Sequence, residues 1–202
     1  MVTPSTSCVS PGAAGIEKGK VDWGDADGDG DLDLLMTGSV QGEEQREPVT
    51  MLFENNSGSF SAVDTELTPV ADSFIEWGDF DLDGDPDIAL MGVDELFEEK
   101  TQIFRQKSDG SFEDIGASIP GLQEGEARWG DFDGDLDLDL LVTGTDEDNF
   151  PFTQLFENQG VYPQAVVNSL LGGESAGLAG DTNEDEALDA ADIVTAVEQM
   201  AK

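Results

Sequence analysis

Short apolar runs recur along this chain, and turn residues bound each of them. The most regular stretch occurs three times: WGDADGDGDLDLLMTG from Trp23 to Gly38, WGDFDLDGDPDIALMG from Trp77 to Gly92, and WGDFDGDLDLDLLVTG from Trp129 to Gly144. In each copy aspartates stand at every second position and an apolar run follows. The apolar patterning predicts four short strands per unit. The first ends at the tryptophan, as in Lys20–Trp23. The second is the run after the aspartates: Leu32–Thr37, Asp87–Met91 and Leu138–Thr143. The third is Thr50–Asn55, Thr101–Gln106 and Phe152–Asn158. The fourth is Ser59–Val63 and Ser111–Ile115, reduced to Val161-Tyr162 in the last unit. Asn56-Ser57-Gly58 and Ser108-Asp109-Gly110 supply hairpin chemistry between the third and fourth strands. The tryptophans are 54 and 52 residues apart. A period of this size signals a propeller or solenoid. Phe53, Phe104 and Phe156 share one repeat position, as do Phe60 and Phe112, and such positions are expected to fill contacts between neighbouring units.

The aspartate spacing has a chemical reading. With the first Asp as position 1, carboxylates occupy positions 1, 3, 5 and 9: Asp25, Asp27, Asp29 and Asp33 in the first copy. Gly30 stands at position 6, where a loop folding around an ion turns sharply, and Asp31 at position 7 can offer its backbone carbonyl. The second loop supplies Asp79, Asp81, Asp83 and Asp87, with Gly84 at the turn. The third supplies Asp131, Asp133, Asp135 and Asp139, with Leu136 at the turn. An oxygen-only set of this kind suits a hard cation with a large coordination number, Ca²⁺ before Mg²⁺ or Zn²⁺. Two carboxylates about 5 Å apart repel by roughly 3 kcal/mol at an effective dielectric near 20, so an ion-free cluster is costly. Leu136 takes a left-handed turn less readily than glycine. The third loop is therefore expected to be weaker or rearranged, with Asp137 more exposed.

Composition narrows the chemistry. The 202 residues carry 46 acids against 8 bases, a net charge of -38. That argues against partners rich in phosphate, both nucleic acid and anionic membrane, and suits a saline or cation-rich setting. Histidine is absent, which removes Ser-His-Asp and Cys-His catalysis and His-ligated metals. Cys8 is alone, so no internal disulfide exists, and in its polar surroundings it reads as a bystander. No apolar run approaches the ~18 residues of a membrane span. The first residues lack the basic and apolar regions of a signal peptide.

WGDFDxDGDxD, an apolar run, TxLFxN and a short hairpin together resemble the FG-GAP/VCBS repeats of extracellular bacterial proteins, which are related to the Ca²⁺-loop blades of integrin α-subunit propellers. The resemblance covers roughly residues 10–162. It implies an all-β chain of three propeller-type, four-stranded blades over residues 1–162, an incomplete or open propeller, since family members usually have more blades. It also implies that the loop joins the first two strands of a blade. Carried over by motif position, the ligands are the aspartates already named together with the carbonyls of Asp31, Asp85 and Asp137.

The composition changes after Tyr162. Val166, Val167, Leu170 and Leu171 are spaced as on a helix, and a Gly-rich linker completes residues 163–180. Residues 181–202 begin with a second kind of ion loop. Asp181, Asn183 and Asp185 hold positions 1, 3 and 5, Ala187 offers a carbonyl at 7, and Asp192 stands at 12. Ile193, Val194, Val197 and Met200 follow on one helical face. This segment is similar to half of a dockerin, an EF-hand-like module, and is expected to cap the last blade, with an independent, flexibly linked tail as the alternative.

Three functions compete. The first is a secreted or cell-surface Ca²⁺-binding module acting in binding or adhesion, with structural ions and an extracellular protein or glycan as partner. The second is an ancillary or catalytic part of a Ca²⁺-dependent polysaccharide-active enzyme, with Glu76 and Glu126 as a carboxylate pair. The third is a purely structural segment of a large surface protein. No nucleophile or basic group stands out, so the binding module, not an enzyme, is the expected class. Self-association, or membership of a longer propeller, would cover the end blades.

Overall fold

The computed structural model describes residues 12–13, 15–42 and 46–159. The segment 163–202, with Asp181, Asn183, Asp185, Ala187 and Asp192, lies outside them, as do Val161, Tyr162 and Cys8. The described residues are all-β, with eleven strands: β1 (Glu17–Gly24), β2 (Asp33–Gln41), β3 (Arg46–Asn56), β4 (Ser59–Val63), β5 (Ala71–Gly78), β6 (Asp87–Val93), β7 (Glu99–Gln106), β8 (Phe112–Asp114), β9 (Gln123–Gly130), β10 (Asp139–Thr145) and β11 (Pro151–Phe156). They form three antiparallel sheets in which neighbours in sequence are neighbours in space: β1-β2-β3-β4, β5-β6-β7-β8 and β9-β10-β11. The first strands pack side by side, β1 by β5 and β5 by β9. The three sheets do not close into a ring.

The strands follow the patterning closely. Val21 pairs with Met36, Ile75 with Leu90 and Ala127 with Val142, so the three sheets share one register. In the β3–β4 hairpin Ser57 and Gly58 both have positive φ, 51° and 91°, which matches the twist of the strands they join. Each first strand bears a bulge five residues before its tryptophan, where Lys18, Asp72 and Glu124 take φ near 50°.

Two apolar clusters lie between successive sheets. Leu35 and Leu52 of the first sheet meet Val70, just before β5, and Ile75, Ile88 and Phe104 of the second. Ala89 and Ile103 of the second meet Leu122, just before β9, and Ala127, Leu140 and Val142 of the third. The recurring phenylalanines fill these layers in part: Phe104 and Phe112 are buried in the first and Phe156 packs against the second, whereas Phe53 and Phe60 lie with Leu34 and Met36 in a separate cluster of the first sheet. Phe60 and Phe112 lie about 6 Å from Trp23 and Trp77 (6.2 and 6.0 Å between centroids). The glycine after each of the first two tryptophans has a packing role. A Cβ on Gly24 would lie 2.8 Å from the Trp77 ring, and one on Gly78 would lie 2.6 Å from that of Trp129. Each sheet thus seats the next sheet's indole against bare backbone.

Candidate metal centres

The three aspartate loops connect the first and second strands of their sheets, so each begins and ends on a paired strand. Position 9 terminates the loop. Asp33, Asp87 and Asp139 each open a second strand and are buried. One oxygen of each accepts the N–H of position 2: Ala26 at 2.7 Å, Phe80 at 3.0 Å and Phe132 at 3.0 Å. The other accepts an N–H beyond the third strand's apolar run: Asn55 at 2.8 Å, Gln106 at 2.8 Å and Asn158 at 2.9 Å. Position 9 therefore latches the loop to the sheet.

Backbone N–H groups fold inward onto the other carboxylates. Position 1 accepts from position 6 in every loop: Gly30 to Asp25 (3.1 Å), Gly84 to Asp79 (3.1 Å) and Leu136 to Asp131 (3.2 Å). Position 5 accepts from position 7: Asp31 to Asp29, Asp85 to Asp83 and Asp137 to Asp135. Positions 1 and 3 come together in every loop. Position 5 joins them in the first, giving Asp25, Asp27 and Asp29. Position 9 joins them in the others, giving Asp79, Asp81, Asp87 and Asp131, Asp133, Asp139, with one oxygen of each residue within 4.8 Å of the others in its group. These groups could hold a metal ion. Asp25 Oδ1 and Asp81 Oδ1 are buried with no hydrogen-bond donor to meet them. An acceptor left bare in this way is costly unless a cation faces it, so the residues present fit the ion that the spacing implies.

The electrostatics of the protein atoms alone point the same way. Burial lifts the pKa of Asp79 and of Asp81, and the nearby Asp83 carboxylate adds to both shifts. Burial raises Asp87 to about 7 against the pull of the Gln106 and Phe80 N–H groups. Asp133 is raised by desolvation and then by the carboxylates of Asp135, Asp139 and Asp131. Asp137 rises to about 7, through burial first and then the adjacent Asp135 carboxylate. A divalent cation would reverse the balance by favouring the ionised forms.

The third loop departs from expectation. Leu136 takes φ of 81°, close to the 91° of Gly30 and 95° of Gly84, and its side chain points to solvent. The loop keeps the conformation of its relatives, and Asp137 is buried rather than exposed, with neither carboxylate oxygen hydrogen-bonded. Sequence reasoning also missed position 4, which is left-handed throughout: Gly28 at 71°, Leu82 at 57° and Gly134 at 85°. The second loop carries its penalty at Leu82 and the third at Leu136. A left-handed non-glycine residue costs about 1–2 kcal/mol, and glycine gives back roughly 0.5–1 kcal/mol in chain entropy. Leu136→Gly and Leu82→Gly are each expected to stabilise the protein by roughly 0.5–1 kcal/mol, visible as a rise in Tm of a few degrees. A fall in Tm for both would show that the leucines are held there by contacts worth more than the strain.

A second feature lay hidden in the residue that follows the third strand's apolar run. Gln106 Nε2 crosses between sheets and donates to Ala26 O in the first loop at 2.7 Å. Asn158 Nδ2 likewise donates to Phe80 O in the second loop at 2.8 Å. Asn55 turns inward and bonds Leu32 O of its own loop at 3.0 Å. Each of the first two loops is therefore braced by the following sheet. The carboxylate pair Glu76 and Glu126 is bridged by an arginine. Arg128 lies between them, with Nη1 3.2 Å from Glu76 and Nη2 3.8 Å from Glu126, and Glu76 also accepts the Trp129 N–H at 3.1 Å.

Comparison with known families gives a match to the FG-GAP-like repeat over residues 25–90, from the first aspartate loop through most of β6. Comparison with curated proteins gives no match. The third repeat lies outside the matched residues, yet it has the same loop conformation and the same register as the first two.

Proposed function

We propose that this chain is a Ca²⁺-stabilised, propeller-type repeat module of an extracellular or cell-surface protein, in which the ions are structural and the module binds rather than catalyses. The observation that carries the reading is the set of three like loops whose inward carboxylates include buried, unpartnered oxygens at Asp25 and Asp81. Oxygens within 4.8 Å of one another can surround one ion at the Ca²⁺–O distance of about 2.3–2.6 Å, and backbone carbonyls at Asp31, Asp85 and Asp137 would extend the set. Among the described residues no helix is long and apolar enough to cross a membrane.

The partner surface that best suits this reading lies at the opposite end of the sheets. There the β6–β7 and β10–β11 loops are tight turns, each held by one aspartate: Asp94 accepts from Leu96 and Glu98, and Asp146 from Asp148 and Phe150. These turns hold Leu96, Phe97 and Phe150 out in solvent. A cavity of about 400 Å³, lined in part by Pro48, Asp72, Val93 and Phe97, opens between the first and second sheets at this end. A rigid rim with exposed aromatics and acidic flanks suits a protein or glycan ligand.

Calorimetric titration tests the metal. Ca²⁺ is expected to bind in the range of about 10⁻⁴–10⁻³ M usual for extracellular modules, more tightly than Mg²⁺, and Asp25→Asn with Asp27→Asn should remove one site. Equal affinity for Mg²⁺, or no heat with either ion, would remove the basis for the reading. Glycan and protein arrays probed in about 2 mM Ca²⁺, with Phe97→Ser as control, test the rim.

A further inference from the structure

The contact between sheets repeats, and its two halves are also present at the ends of the three-sheet array, exposed at the residues nearest the tryptophans, while Leu34, Met36 and Phe53 of the first sheet are already buried with Ala13 and Ile16 packed against them. The receiving half is the glycine after the tryptophan plus two apolar residues on the second and third strands: Gly24, Leu35 and Leu52 in the first sheet, and Gly78, Ala89 and Ile103 in the second. All four of these apolar side chains are buried. Their counterparts in the third sheet are Gly130, Leu141 and Leu155. Leu141 is 42% exposed and Leu155 40%, and a Cβ on Gly130 would meet nothing within 4 Å. The inserting half is the tryptophan and the residue two before it. Ile75 and Ala127 are buried at that position, whereas in the first sheet Val21 is 56% exposed and Trp23 52%.

Polar groups at the two ends match as well. At the second junction the residues just before the tryptophans meet, and Arg128 pairs with Glu76 at 3.2 Å. At the open ends the corresponding residues are Arg128 and Asp22, which are opposite in charge. The N–H of Trp77 uses Asp22 of the preceding sheet (3.2 Å), and that of Trp129 uses Glu76. The N–H of Trp23 is already satisfied within its own strand by Asp22 Oδ1 at 3.0 Å. An arginine at the receiving end therefore leaves no donor bare.

We propose that the chain associates head to tail with a second copy of itself, Trp23 of each seating on Gly130 of the other, so that two arrays of three sheets close one six-bladed ring. Heterologous contacts generate rings when the rotation closes, and propellers close with about four to eight blades. The charge of -38 per chain opposes association, so the dimer forms in salt and divalent cation, where that repulsion is screened.

Light scattering after gel filtration, on the full chain in Ca²⁺ and about 0.5 M NaCl, is the test, since salt shortens the screening length to a few ångström. The expected mass is twice the 21.5 kDa of one chain. Gly130→Leu fills the seat where the single chain has space, and Trp23→Ser removes the inserting ring. Each variant should run as a monomer with an unchanged far-UV spectrum. An equimolar mixture of the two should regain the dimer mass, because one intact junction is restored. A monomeric wild type, any higher assembly, or a dimer that survives Gly130→Leu overturns the proposal. So does a monomeric wild type that Gly130→Leu destabilises, because the chain's own residues would then fill the seat.

Discussion

Addition of EDTA at low ionic strength is expected to lower the Tm by tens of degrees, or to unfold the protein outright at room temperature. Each loop holds at least three carboxylates with oxygens within 4.8 Å of one another, and the cation that would offset their repulsion is then gone. A ligand that binds only the native state adds RT ln(1 + [L]/Kd), about 2.7 kcal/mol per site at a hundredfold excess over Kd. Three such sites together approach the whole stability of a small domain, roughly 5–15 kcal/mol. At roughly 2–4 °C per kcal/mol for a chain of this size, each site is worth about 5–10 °C. Excess Ca²⁺ should restore the transition fully. Molar NaCl should narrow the difference between chelated and loaded protein by screening the exposed aspartates, though not the buried Asp33, Asp87 and Asp139. Scanning calorimetry with and without chelator measures this. Superimposable traces would mean that the loops stand without an ion and that protons alone settle their charge.

The second large effect is expected from Asp87→Ala, and it separates the two jobs of position 9. The Asp87 carboxylate holds the N–H of Phe80 at 3.0 Å and of Gln106 at 2.8 Å inside the protein. Alanine strands both donors, at about 1–3 kcal/mol each. It also frees the end of the second loop from its sheet and loosens Gln106, whose amide reaches the first loop. A loss of roughly 3–6 kcal/mol follows, and most of it should persist in chelator, since the donors are stranded with or without an ion. Asp81→Asn removes only a ligand charge, so its cost should vanish in EDTA. Denaturant titrations of the two variants in Ca²⁺ and in EDTA distinguish them. If Asp87→Ala cost nothing in EDTA, position 9 would be a ligand alone.

The sequence made the sheets legible because an antiparallel meander is written in local signals. Alternating aspartates end at Asp33, Asp87 and Asp139, where the second strands begin, and Asn56-Ser57-Gly58 names its own turn. The clusters of carboxylates were legible for the same reason. Their division of labour was not. Five aspartates at even spacing look alike in sequence, yet position 9 spends both oxygens on backbone donors and position 7 of the first loop turns outward to the Ser57 N–H at 2.8 Å. Which oxygens remain for an ion depends on where the third strand ends, some twenty residues on. Leu136 was misjudged because local preference favours glycine there. The strands on either side fix the path, and the leucine follows it at φ of 81° with its side chain in water. Gln106 and Asn158 could not be read as bridges, because their carbonyl partners lie 80 and 78 residues away.

Those bridges bear on how long an ion stays. To release one, a loop must open, and its second residue must move first because it is pinned from both sides. Ala26 and Phe80 are each held by their own position-9 carboxylate and by an amide from the following sheet. Phe132 has the first of these holds, and its ring lies in solvent. Ions in the first two loops would leave only when the neighbouring sheet shifts, on the timescale of collective motion, while the third would exchange with the faster breathing of a single loop. The residence time of each ion would thus be set by the sheet beside it, and luminescent lanthanides in competition with Ca²⁺ should leave in two phases, the faster with one third of the amplitude.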